Sequence, residues 1–534
     1  GANAEAHAAE LAHHFAEAAT VTGPEKLVRY SLLAGERALA TYAWEEALGH
    51  FQRGLAARGV SLTGTEPAKD AETAALLFGL GRAQVATTFH QHQLSEVVDT
   101  LSRAFEYYAE AGDVTRAVAV AGYRLRPTAA LRTGMGQLIV RALRLVPPDS
   151  HEAGHLLSHQ GHILGVEEGN FEGAREAFGR ALAIAQEEQD LTLEMRTLVD
   201  ASEVDWFDFS WQEGLQKSLR IIELARRLGD LDAELVSHHR VAVILIHTGD
   251  LERARPHAAT VLTLAEKLRD RYWLTSALWR NENLSRLGGD WRAARDFSDR
   301  GLAVSPMDSR PLCTRALLEY EVGDPGQGAA HLERLLEVIR LTAPGPNIPY
   351  ACAAIAIPMV ARITGVVDER CDVAATAAET ILSSLSPTPR IAMLARAGLA
   401  LLAVQRGDVA AAGEHYAPLE AHRGTMVDCG STAADRLLGL ISHTMGNLDQ
   451  AVAHFEDALA FCRKGAYRPE LAWTCCDYAD VLLNPVGAGF KPAPTPGDRQ
   501  KAMALLDEAL AISRELGMRP LMERVLSRRE ILTA

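Results

Sequence analysis

Residues 231–269 read LDAELVSHHRVAVILIHTGDLERARPHAATVLTLAEKLR. Leu231, Leu235, Ala242 and Leu245 place an apolar stripe along a first helix. Thr248-Gly249-Asp250 ends that helix, glycine supplying a left-handed C-cap and aspartate an N-cap for a second helix. Leu251, Ala254, Ala258, Val261, Ala265 and Leu268 then recur at the spacing of a second buried face. Small side chains at 254 and 258 let the two helices approach closely. A lone hairpin leaves both stripes in water, so neighbouring hairpins must stack to cover them. The expected architecture is an all-α solenoid.

The rest of the chain repeats this unit. Gly169-Asn170-Phe171, Phe209-Ser210-Trp211, Gly249-Asp250-Leu251 and Gly289-Asp290-Trp291 begin at 40-residue intervals. Small residues come after each turn at Ala174, Gly214, Ala254 and Ala294. Core-type or small positions come next, at Phe178 and Ala181, Ser218 and Ile221, Ala258 and Val261, and Ser298 and Gly301. Gly407-Asp408-Val409 with Ala412 and Tyr416, and Gly446-Asn447-Leu448 with Ala451, Phe455 and Ala458, return to the same pattern. Ala47, Phe51 and Gly54, then Val97, Leu101 and Ala104, and finally Ala502, Leu506 and Ala509 extend it less cleanly. About eleven to thirteen hairpins are expected. The polar loop 61–70 interrupts the pattern. So do the Pro-rich stretch 342–350, expected to bend or break the array, and 484–499 (NPVGAGFKPAPTPGDR), which reads as a disordered surface insertion. The expected division is a first array over 1–341, a break at 342–350 and a second array over 351–534.

Composition limits the function classes. The 534 residues are 48% hydrophobic and 23% charged, as in folded soluble proteins, and aromatics are only 6%. A net charge of −15 repels a phosphate backbone, so direct nucleic-acid binding is not expected. The seven cysteines form no CxxC pair and all lie in the second half, which favours reduced thiols and a cytoplasmic setting. Cys475-Cys476 reads as two small apolar residues on a helix rather than a disulfide. The longest apolar run, 351–361, is too short for a bilayer and contains Pro358, so no membrane association is expected. The chain begins at Gly1, and a piece of a longer protein is the expectation.

The small–large–small pattern of the second helices resembles the tetratricopeptide repeat, most closely at Leu438-Gly439 followed by Ala451, Phe455 and Ala458. Asp435 stands where that repeat carries tryptophan, and the 40-residue interval exceeds the usual length of about 34. The resemblance implies a right-handed superhelix with a period of about 34–42 residues. Elongated units of this kind look like the sensor solenoids of MalT-like regulators and related STAND-type signalling ATPases. The segments 7–15 (HAAELAHHF), 30–40 (YSLLAGERALA) and 44–51 resemble the entry to such an array, and 516–525 its exit. Some of these regulators carry a nucleotide-cyclase domain and others a LuxR-type helix-turn-helix. The sequence has no GxxxxGK[ST] phosphate loop, so any ATPase or cyclase activity is expected in other parts of the parent protein.

The candidate sites are binding positions. His151, His155, His159 and His162 share one helical face, and the first pair has metal-ligand spacing. Without HExxH or a nearby cysteine the stripe reads as a partly exposed surface, and neither a metal nor a cofactor is expected. No GxSxG elbow or catalytic dyad stands out, so no catalytic residue is nominated. First helices line the concave face of a superhelix. Register then selects Ser276, Trp279, Asn283 and Arg286, with His239 one repeat earlier and Arg196, Glu203 and Trp206 two repeats earlier. Trp, Arg and Asn on one strip suit a polar peptide or a small anionic metabolite, although tryptophans also fill gaps between hairpins. Arg514, Arg519, Arg524, Arg528 and Arg529 near the C-terminus read as a solvated cap, or as a face that docks on acidic residues. The expected function is a non-catalytic sensor or scaffold arm of a bacterial multidomain signalling or transcriptional regulator. It would bind a protein partner or small inducer on the concave face. A constitutive protein–protein scaffold is the first alternative, and a metal-dependent enzyme at His151, His155 and His159 the second.

Overall fold

Aspartate and asparagine side chains open helix after helix. Asn170, Asp230, Asp250, Asp270 and Asp290 each accept a backbone N–H three residues on, at 2.9–3.1 Å. That satisfies one of the donors every helix start leaves unpaired. Gly249, Gly289 and Gly323 close the preceding helices at φ +86°, +87° and +81°, a conformation that disfavours a side chain. At the equivalent turn Phe209 adopts φ +59°. Its ring packs 5.3 Å from Trp211 and 4.5 Å from His422, contacts that hold the strained backbone in place.

The computed structural model describes residues 7–17, 23–41, 43–87, 94–125, 133–384, 387–427, 432–484 and 494–533. Among them are 26 α-helices, enough for thirteen hairpins, arranged as an all-α solenoid of successive antiparallel pairs. Apart from a π-helical turn at Ile163–Glu167, the departure from all-α structure among the described residues is a two-residue antiparallel ladder, Met426–Val427 with Thr432–Ala433. No described helix is long and apolar enough to cross a membrane.

The buried faces are those the periodicity selects. Ala174, Ala254, Ala294, Val261, Ala451 and Ala458 are fully buried. Glycine on one helix makes room for an aromatic ring on its partner. A Cβ on Gly161 would stand 2.6 Å from the Phe178 ring, and one on Gly439 would stand 2.7 Å from Phe455. Tyr416 is only half-buried, and the neighbouring His415 takes the inner position.

The chain divides into two compact units, 1–204 and 205–534. The Pro-rich stretch 342–350 therefore lies inside the second unit. Its prolines are confined to the connection and to the first turn of the helix Ile348–Thr364, where a missing N–H costs nothing. Across it, Cys313 Sγ lies 3.8 Å from the carbonyl of Cys352. Of the 484–499 stretch, residues 485–493 lie outside the described residues. Its far end is already helical, because Thr495 and Asp498 form a capping box that starts Pro496–Leu516. Cys313, Cys352, Cys371, Cys462, Cys475 and Cys476 are buried free thiols, and burial pushes Cys476 up to about 12.

In the second unit the stack turns back on itself. Trp291 Nε1 donates to the Leu516 carbonyl at 2.6 Å, Arg519 Nε donates to the Val322 carbonyl at 3.1 Å, and Tyr467 Oη donates to the Ile246 carbonyl. The turn glycines 249, 289 and 323 face Phe461, Leu516 and Arg519 respectively. The tight ends of three early hairpins are thus covered by late helices of the same unit.

Candidate functional site

That closure changes the character of the inner wall. First helices of an open solenoid have one face in water. Here Leu231–Thr248 is buried without interruption from Ser237 to His247, and Arg271–Gly288 is buried over most of its length. Of the eight expected wall residues, Arg196 and Glu203 belong to the first unit. Arg196 is exposed, and Glu203 sits 3.4 Å from His162 Nε2. The other six lie in the second unit. Ser276, Trp279, Asn283, Arg286 and His239 are between 1% and 8% exposed, so they form an interior rather than an open concave surface.

Trp206, Trp279, Ser276 and His239 gather around a set of arginines. The Trp206 ring has the guanidiniums of Arg240 and Arg390 each 4.6 Å from its centroid. Trp279 has Arg280 at 4.4 Å and Arg310 at 5.2 Å. Ser276 joins the same group by accepting from Arg310 Nη1 at 3.0 Å. Arg310 is itself held by Asp308 at 2.6 Å. His239 lies within electrostatic reach of all four arginines. Burial holds its pKa well below the usual histidine value, and Arg280, Arg240, Arg310 and Arg390 push the same way, so the ring is neutral. Its ring packs edge-on to Trp273 at 5.3 Å.

Asn283 and Arg286 continue the same helix away from this group. Arg286 Nη1 donates to Glu321 Oε2 at 3.2 Å, both side chains buried. One turn back, Glu282 accepts from Thr314 Oγ1 at 2.7 Å, and burial pushes its carboxyl up to about 8.

Sequence reasoning missed Arg240, Arg280, Arg310 and Arg390. The first two directly follow His239 and Trp279. A one-sided wall would turn them about 100° away, but an interior enclosed from several sides takes both neighbours. Three ring nitrogens of the cluster, Trp206 Nε1, His239 Nδ1 and Trp279 Nε1, are buried without a hydrogen-bond partner. Such groups cost about 1–3 kcal/mol each when left unsatisfied. Guanidiniums, indoles and a neutral imidazole offer positive charge, flat stacking faces and N–H donors, which is the chemistry of binding.

The histidine stripe separates into different environments in the first unit. His151, His155 and Asp190 place donor atoms within 4.8 Å of one another. His159 is buried elsewhere, its pKa lowered by burial and Arg124, while His162 pairs with Glu203. A second such group joins Asp435, His454 and Asp457. The C-terminal arginines dock on carboxylates: Arg524 and Arg528 on Asp480 at 3.1 and 2.7 Å, and Arg529 on Asp507 at 2.7 Å. Arg514 belongs to the preceding helix.

No family model matches the chain, and no curated protein matches it. Among solved structures it is similar to yeast Tom70, at 11% identity and a TM-score of 0.37, covering 85% of this chain and 97% of that one. It is also similar to the APC/C hetero-tetramer Cut9-Hcn1, at 13% identity and a TM-score of 0.31, covering 96% of this chain and 98% of that one.

Proposed function

We propose that this chain is the non-catalytic sensor or scaffold arm of a bacterial multidomain signalling or transcriptional regulator, cytoplasmic, with any nucleotide chemistry in other parts of that protein. The observation that carries the reading is the Trp206–His239–Trp279 cluster and its four arginines. An interior needed only for packing is served as well by leucine and methionine, which bring no desolvation penalty. Buried indole and imidazole nitrogens without partners are the kind of groups a ligand completes. The ligand is a small inducer with an anionic or polar head, and protein partners meet the exposed outer faces of the hairpins. Stacked hairpins respond to such a ligand by changing curvature. The response is no larger than the difference in binding free energy between the two curvatures.

A thermal-shift screen against anionic metabolites tests this reading, with His239→Ala as the site variant. A compound that raises the melting temperature of the parent chain and not of the variant is the expected result, since only a native-state ligand stabilises. A screen without such a compound, alongside a protein partner that binds regardless, leaves the constitutive scaffold in its place.

A further inference from the structure

A separate cleft of about 850 Å³ opens in the second unit and shares no lining residue with the tryptophan cluster. Its walls come from the helices Ser309–Val322, Ile348–Thr364 and Pro389–Arg406 and from the last helix, Arg519–Thr533. Four arginines line it, Arg362, Arg519, Arg524 and Arg528, against one lining carboxylate, Glu523. In a chain of net charge −15 this is a local reversal of sign.

The carboxylates behind the wall are shared rather than matched one to one. Asp477, fully buried, takes Arg362 at 2.6 Å, Arg524 at 3.5 Å and Arg436 at 2.8 Å, the last of which Glu470 also holds at 2.7 Å. Asp480 takes both Arg524 and Arg528. Arg519 donates to a neutral carbonyl, that of Val322. Two guanidinium nitrogens, Arg362 Nε and Arg524 Nε, are buried without a hydrogen-bond partner, and so is Gln405 Oε1 on the same wall. Burial lowers the Arg362 pKa, and Arg524 and Arg436 add to that against the opposing pull of Asp477. Beside the arginines the lining mixes polar residues, Thr364 and Gln405 among them, with the apolar Ile363, Val404, Pro520 and a half-exposed Val367.

We propose that this cleft binds a small amphiphilic anion, its phosphate or carboxylate held by the guanidiniums and its apolar body against Val367, Val404 and Pro520. Planar guanidiniums match oxyanion geometry and form the stronger, charge-assisted hydrogen bonds. The volume fits a metabolite-sized ligand. A long polyanion or acidic peptide would extend beyond the cleft onto a chain whose net charge repels it. The proposal is independent of the tryptophan cluster and stands or falls separately.

Calorimetric titration with 1-naphthyl phosphate at low salt is the test, using Arg519→Ala, Val367→Glu and His239→Ala. Residues 519 and 367 are exposed; Val367→Glu leaves the closing bonds in place and Arg519→Ala loses only its bond to the Val322 carbonyl, and unaltered melting of both variants checks this. The expected result is one-to-one binding, weakened about tenfold or more by Arg519→Ala and Val367→Glu. His239→Ala binds as the parent does, and neutral 1-naphthol binds poorly. Absence of binding at millimolar probe overturns the proposal. Binding that ignores Arg519→Ala and Val367→Glu, or is lost in His239→Ala, also overturns it. Equal affinity for 1-naphthol, or a preference for a hexaglutamate peptide, removes the small-anion assignment.

Discussion

Trp291 donates its indole N–H to the carbonyl of Leu516 at 2.6 Å, across 225 residues of sequence. The tryptophan starts the second helix of its hairpin, and Leu516 ends the helix that opens at Pro496. Gly289, two residues before the tryptophan, lies under the Leu516 side chain, where a Cβ would come within 2.8 Å. One turn thus caps a helix and receives the far end of the unit.

Gly289→Ala should weaken this closure. It places a side chain at φ +87° and against Leu516, at a combined cost of about 1–3 kcal/mol. Amide hydrogen exchange should accelerate in the helices 496–516 and 519–533 and stay unchanged in the first unit. Trp291→Phe, which removes the hydrogen bond together with part of the ring's packing, should reproduce the pattern at about 1–2 kcal/mol.

Gly398 marks a close helix contact. A Cβ there would stand 1.9 Å from the Ala354 carbonyl oxygen, which is backbone and cannot swing away. Gly398→Ala should cost about 3 kcal/mol or more, read as a fall in denaturation midpoint. Gly179 sits on an exposed helix face with nothing within 4 Å, so Gly179→Ala should stabilise by about 1 kcal/mol.

Glu282 sets a pH dependence. In the fold its carboxyl keeps its proton up to about 8, whereas an unfolded glutamate releases it near about 4.3. Between those values the native chain binds the extra proton, so stability falls as pH rises through the window. Glu282→Gln should flatten that decline between about pH 5 and 8, measured as urea midpoint against pH.

Asp477 acts in the opposite sense. Burial works against its ionised form, but Arg362, Arg436 and Arg524 outweigh that and hold its pKa far below the usual carboxylate range. Its contribution is complete above about pH 4 and is lost as pH falls below it. Asp477→Asn should cost about 3–5 kcal/mol at neutral pH, because it leaves buried guanidiniums short of a counter-charge. The gap between parent and variant should narrow in acid.

Metal content offers a further check. Asp190 already accepts from the backbone of Thr192 and Leu193 at 2.8 and 2.9 Å and bonds His151 at 2.7 Å. The purified chain should carry less than about a tenth of an equivalent of zinc. A full equivalent lost in His155→Ala would reinstate the metal reading.

Register selects Trp206, His239, Ser276 and Trp279 as neighbours on inner helices, and the structure brings these four into one cluster. They form an interior and not the open face that register implies, while Arg196 and Glu203 fall in the other unit. Arg240, Arg280, Arg310 and Arg390 are not selected, because register assigns faces relative to a single neighbour. The cleft beside the C-terminal helix was legible only as a run of arginines. Its other walls come from residues 320–405, and no local spacing joins Arg362 to Arg524.

Periodicity, turn glycines and aspartate caps specify the hairpins and their buried stripes, because these are short-range effects of helical geometry and of orphan backbone donors. They also select which helices line the inside. Whether that inside is open or enclosed depends on long-range contacts such as those of Tyr467, Trp291 and Arg519, which reach carbonyls near helix ends some two hundred residues away. The sum of many small rotations between hairpins brings those partners together, and no single repeat encodes that sum.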